Sequence, residues 1–309
     1  MGSESATILM FHRVIPDEPC AFGLPGCYRL RGTAMTELEF RRALDVAGPI
    51  IPLSVLEEAI AERRSVPPGA VLTFDDGYRE HLDIVTPLLT ERGMTGTFYV
   101  ATGLHGGQHR VGVVDAWYWL LDHAQRPAAA CPLPDGTTYD GRVDTIEGKR
   151  AWVMGPAKAA LLAATGPDQA AMLDCLAEML GCSPPEDLAA RLYMRQDEWA
   201  VPAASGMSVG AHSVTHPRLT QLDDVTLADE IGRSVEAIRQ VEARVAFAYP
   251  DGAYDARIVE AARRAGVSSA VTCVEGTICG GATVLALPRR FVSSIAPFPA
   301  EVVSPASPG

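Results

Sequence analysis

The chain has 309 residues, 48% hydrophobic and 21% charged, enough apolar material for a sizeable core in one large domain or two small ones. A formal net charge of -12 argues against a broad nucleic-acid surface or an anionic membrane as the main partner. No run of about 18 apolar residues occurs, so no transmembrane helix is expected.

The N-terminus carries no basic segment, and the apolar run 6–11 is too short for a signal sequence, so a cytoplasmic protein is expected. Residues 8–14 read as a buried strand. Apolar spacing predicts helices over 36–46 and 53–63, a strand over 70–74, a helix over 81–92 and a strand over 95–100. After an interruption come strand 207–211, helix 225–242, strand 245–249, helix 256–265, strand 268–273 and a last strand from 284 onward. Strands alternating with helices predict βα units around a parallel sheet or barrel. The interruption, 104–206, holds a Trp/Tyr cluster, Pro- and Gly-rich turns, and Ala/Leu helices over 151–165, 169–180 and 185–195, with no strand read in it. It reads as a mostly helical insertion within one domain spanning 1–309, a separately folded second domain being the alternative. The Ser/Pro/Gly tail 304–309 is expected to fray. Seven irregularly spaced cysteines without a Cys-x-x-Cys predict reduced, buried thiols. Of 26 basic residues only Lys149 and Lys158 are lysines.

Three segments at strand ends carry candidate chemistry. The first reads TFDDG at 73–77, with Asp75 and Asp76 adjacent after a buried strand. Neighbouring side chains on an extended strand point in opposite directions, so one carboxylate can face a metal and the other a neighbour. The second reads HSVTH at 212–216, and His212 and His216 share a face if the stretch is a helical turn. Two histidines and a carboxylate leave coordination positions open for water and substrate. The third is a strand closed by a Pro-Asp-Gly turn at Tyr249, Pro250, Asp251 and Gly252. Taken singly, the first and third also read as ordinary turns.

In this order the three segments resemble those of the polysaccharide deacetylases, the NodB-homology or carbohydrate esterase 4 family. The resemblance covers about 6–104 and 205–292 and leaves out the insertion. It implies an irregular (β/α)7-type barrel of the NodB kind. It also implies one divalent metal ion, zinc first with cobalt or nickel as alternatives, held by Asp76, His212 and His216. Asp75 would be the general base, and a backbone N–H of the 249–252 turn would hold the oxyanion. Tyr249, Pro250 and Asp251 would then touch substrate.

Two departures matter. The third segment lacks the arginine common in the family, and no histidine follows His216 to protonate the leaving amine. The N-terminal LMFH at 9–12 is similar to the opening strand of the biofilm poly-N-acetylglucosamine deacetylases, a permuted branch in which the early histidine is the acid. His12 takes that position, a buried strand histidine being the alternative. The LPR at 287–289 resembles a segment of the same branch, which makes Arg289 the partner of Asp75, with Arg290 as its rival. Trp117, in the cluster of Asp115, Tyr118 and Trp119, is a candidate to stack on a sugar face or to be core. The expected activity is metal-dependent removal of an N-acetyl group from a small, lipid-linked or oligosaccharide acetamido sugar. The alternatives are a same-fold amidohydrolase of cyclic ureides or imides and a non-catalytic carbohydrate-binding relative.

Overall fold

The structure is a computed structural model describing residues 5–16, 18–105, 110–279 and 282–294; His109 and the 304–309 tail lie outside them. The chain opens with β1 (Ala6–Phe11), breaks at His12, and continues as β2 (Arg13–Ile15), α1 (Cys27–Arg31), β3 (Ala34–Thr36) and α2 (Glu37–Val46). Residues 8–14 are thus two strands. β1 lies in the main sheet and β2 leaves it to pair with β3. Next come α3 (Leu53–Ala61), β4 (Gly69–Phe74), α4 (Thr86–Glu91) and β5 (Thr97–Val100). Then follow α5 (Val113–Asp122), β6 (Ala128–Pro132), β7 (Thr138–Arg142), α6 (Ile146–Met154), α7 (Pro156–Ala163), α8 (Gly166–Leu180), α9 (Leu188–Leu192) and α10 (Ala200–Ala204). The chain closes with β8 (Ser208–Ala211), α11 (Asp224–Ile238), β9 (Ala246–Ala248), α12 (Ala256–Arg264), β10 (Ser269–Val271) and β11 (Arg290–Phe291).

Seven strands form one parallel sheet in the order β10-β9-β8-β5-β4-β1-β11. The segment that enters β11 touches both edges. Leu287 bridges to Val271 of β10, and Arg290 and Phe291 pair with β1. The result is an irregular (β/α) barrel. The expected last strand from 284 shrinks to that bridge and β11.

Successive strand residues serve opposite sides. Ile8, Val71, Tyr99, Ala248 and Val271 share one cluster. Leu9, Phe11, Leu72, Phe74 and Phe98 pack in another with Phe40 and Leu44 of α2 and Leu88 of α4. Burial on both faces is why these strands read as continuous apolar runs. Helix starts follow local chemistry. Thr36 and Glu39 make a reciprocal capping box at α2, and Asp223 and Asp255 accept N–H bonds at the starts of α11 and α12.

The 104–206 segment has a core of its own, built from Trp117, Leu121, Trp152, Leu161, Leu176 and Leu180. It also contains the antiparallel hairpin β6–β7, where no strand was expected. Alanine runs and a mostly exposed β7 hide the hairpin from a periodicity reading. The expected helix over 151–165 is broken at Gly155-Pro156 into α6 and α7. All seven thiols are free, yet only Cys27 and Cys131 are buried, and Cys273 and Cys279 are exposed, which corrects the expectation of buried cysteines. Among the described residues no helix is long and apolar enough to cross a membrane.

Candidate active site

Alternation along β4 decides where the paired carboxylates go. Val71, Thr73 and Asp75 fall on one side of the strand, which sends Asp75 inward. There Arg289 meets it as a fork, with Nη1 to Oδ1 and Nη2 to Oδ2 both at 2.7 Å. Arg289 also donates through Nε to the Thr272 carbonyl at 2.9 Å and is 1% exposed. Burial raises the Asp75 pKa, but the Arg289 guanidinium overrides that and holds it well below the usual carboxylate range. Arg289, not Arg290, makes this contact.

At Asp76 the backbone turns to φ 76°, and Gly77 continues the turn at φ 73°. A Cβ on Gly77 would stand 3.0 Å from Val100 Cγ1, so the turn needs glycine for both conformation and space. Asp76 Oδ1 lies 3.6 Å from His212 Nε2 and 3.5 Å from His216 Nε2. One ligand atom from each of the three residues falls within 4.8 Å of the others. Metal–nitrogen bonds of about 2.0–2.1 Å in a tetrahedron separate ligand atoms by roughly 3.4 Å, so the donor set fits a divalent ion. His212 Nδ1 lies 2.7 Å from the Ala248 carbonyl and donates to it, which leaves the Nε2 lone pair turned to the site. Burial, with the positive charge of His216 next, pulls the His212 pKa to about 4.

The histidine pair does not sit on a helical turn. Residues 212–218 form a loop with Ser213 at φ 62° and His216 at φ 58°. The loop is held from below by Glu230, a buried carboxylate of α11. Glu230 accepts from the N–H groups of Val214 and Thr215 at 2.8 and 2.9 Å and from Thr215 Oγ1 at 2.7 Å. Glu230 was missed in the sequence. Its trace there is a carboxylate on the apolar stripe of a helix, between Leu227 and Ile231.

In the third segment Tyr249 is buried, with its hydroxyl donating to the Leu285 carbonyl and its N–H to Val271 O. Pro250 is buried and has no N–H, and the Gly252 N–H returns to Tyr249 O. Of the three N–H groups in these four residues, only that of Asp251 has no backbone partner among the described residues. Asp251 sits at φ 55° and lines the cavity. Gly252 packs so close to Cys273 that a Cβ would stand 2.3 Å from the Cys273 Cβ. Trp117 is fully buried, its Nε1 donating to the Trp152 carbonyl, so it faces the insertion core and not a sugar. Tyr249, buried the same way, presents no ring to a ligand.

His12, Asp75, Asp76, His212, His216 and Asp251 line one cavity of about 770 Å³. His12 stands where β1 ends, and its Nδ1 is buried without a hydrogen-bond partner. The insertion contributes the opposite wall through Asp115, Tyr118 and Lys158. Asp115, buried on α5, accepts from the hydroxyls of Tyr28, Tyr78 and Tyr193, and so ties the insertion to the turn that carries Asp76. Burial, with Asp76 next, raises the Asp115 pKa against those three hydrogen bonds.

Residues 63–127 and 190–270 match the polysaccharide deacetylase family model. Among curated proteins no sequence matches the chain. The deacetylase PplD of Streptococcus pyogenes, solved with acetate, superposes with a TM-score of 0.60 at 17% identity, covering 97% of this chain and 99% of PplD. IcaB from Ammonifex degensii gives 0.56 at 17% identity, covering 95% and 94%. The BpsB deacetylase domain from Bordetella bronchiseptica gives 0.55 at 16% identity, covering 93% and 96%. At such identities these likenesses speak for the fold, and the family match speaks for the strand-end segments: the chain carries a polysaccharide deacetylase domain of the NodB type.

Proposed function

We propose that this chain is a metal-dependent N-deacetylase that hydrolyses the acetamide of an N-acetylated amino sugar. The observation that carries this reading is the convergence in one cavity of the Asp76–His212–His216 donor set, the Asp75–Arg289 fork and His12. A divalent ion held there, zinc by preference, supplies a Lewis acid that polarises the acetamide carbonyl and acidifies a water. Asp75 takes the proton of the attacking water, and Arg289 keeps its carboxylate ionised and aimed. The Asp251 N–H donates to the developing oxyanion. His12 protonates the leaving nitrogen, because an amide anion is a very poor leaving group. The cavity volume lies within the range of small-molecule sites, about 300–1,000 Å³.

The test is acetate release from a panel of N-acetyl sugars with added zinc or cobalt. Asp75→Asn should keep the metal and lose roughly 10²–10⁴ in kcat. His12→Ala should cut amide hydrolysis strongly and hydrolysis of an activated aryl acetate much less, since that leaving group needs no proton. No acetate from any sugar sinks the reading. Equal losses on amide and activated ester remove His12 from the acid role.

A further inference from the structure

The cavity has two unlike walls. On the barrel side Asp75 is paired with Arg289 and Asp251 with Arg218 at 3.1 Å, and Asp76 stands beside His212 and His216. On the other side stand Arg31 from α1, Arg110 ahead of α5, Asp115 and Tyr118 from α5 and Lys158 from α7, the Asp115 carboxylate being taken up by three tyrosine hydroxyls. Lys158 is one of only two lysines among 26 basic residues. The other, Lys149, is ion-paired with Asp122 at 2.6 Å. Lys158 donates to the Tyr118 hydroxyl, and its Nζ lies 4.5 Å from the centre of that ring. This contact places the ammonium without neutralising it. Burial, with the Arg31 guanidinium next, brings the Lys158 pKa down to about 8. Among the described residues neither Arg31 nor Lys158 has a carboxylate in an ion pair, whereas Arg41, Arg191 and Arg233 on the surface each have one. Two like charges in a half-buried wall repel and lose hydration, and an anion between them relieves both costs.

We infer that Arg31 and Lys158 form a phosphoryl-binding subsite, so that the acetamido sugar taken by this cavity carries a phosphate ester on the side facing the insertion. A phosphate ester brings three acceptor oxygens and a charge of roughly -1.5 to -2, which suits a guanidinium together with an ammonium. A single carboxylate is satisfied by one arginine fork. The inference rests on the deacetylase reading for the sugar, but not for the anion.

The test is calorimetric binding of N-acetylglucosamine 1-phosphate, N-acetylglucosamine and N-acetylmuramic acid to the full chain after chelator treatment. No metal is then present to bind the phosphate. The phosphorylated sugar should bind about tenfold tighter than the neutral one, or more. Lys158→Met and Arg31→Gln should each remove most of that preference, and Lys158→Arg should keep it. Thermal unfolding of each variant checks that it is folded, and Lys158→Met keeps an unbranched apolar stem while removing the charge. Equal affinity for phosphorylated and neutral sugars, tighter binding of the carboxylate sugar, or a preference unchanged in both charge-removing variants overturns the subsite. Acetate release is read separately. Release without a phosphate preference removes only the subsite, and binding preference without release removes only the deacetylase reading.

Discussion

The two walls of the cavity are built in different ways. On the barrel side Asp76, Ser213, His216 and Asp251 all sit at positive φ without being glycine. Each such residue costs about 1–3 kcal/mol and persists where its surroundings over-determine it. Here those surroundings are the Arg289 fork, the Ala248 carbonyl on His212 and the Glu230 carboxylate under the loop. On the insertion side Tyr118 and Lys158 come from regular helices packed on the segment's own core. They reach the barrel wall through one buried hub, Asp115 with three tyrosines. The lesson is that reaction geometry and ligand selection rest on separate supports. Strain concentrates where donor atoms must converge, and charge is simply presented where a ligand must be chosen.

Removing the support of the barrel wall should have the largest effect. Arg289→Met leaves the buried Asp75 carboxylate unpaired and should cost about 3–5 kcal/mol in denaturant unfolding. A loss no larger than that of an exposed ion pair would break the contrast between the walls. A smaller effect is expected one layer out. Glu230→Gln keeps the shape of the loop support but removes its charge, and should weaken metal binding roughly 10–100-fold in competition with a metal buffer. Unchanged metal affinity would show that the loop holds its strained form without the carboxylate.

The smallest expected effect lies on the insertion wall. Lys158 is cationic below its lowered pKa and neutral above it, so affinity for a phosphorylated sugar should fall as pH rises through about 8. The groups whose charge acts on Lys158 are Arg31 and Cys27 of α1, Asp115 of α5 and Asp251 of the turn after β9, with Tyr118 of α5 in direct contact. Cys27 and Tyr118, both pushed up by burial, stay neutral over that window. Calorimetric titration from about pH 7 to about pH 9 reads the effect. A Lys158→Arg variant with the same slope would assign the titration to another group.

Much of this was legible in the chain. Apolar runs buried on both faces marked the parallel strands, and the spacing of TFDDG, HSVTH and the Pro-Asp-Gly turn marked three strand ends that converge on one cavity. The choice of Arg289 over Arg290 was beyond the sequence, because it turns on which side chain enters the barrel where the last segment crosses between the two sheet edges. The burial of Trp117 and Tyr249 was equally hidden, since an aromatic residue serves core or ligand with the same local pattern. Glu230 and Asp115 acquire their meaning from partners far along the chain, the 213–216 loop and three tyrosines from separate segments. Sequence alone determined the periodic elements and the donor types, because backbone and short-range sterics act within a few residues. Only the tertiary structure decided which donors meet, which aromatics face inward and where Arg31 and Lys158 stand together, because those outcomes depend on packing between elements distant in the chain.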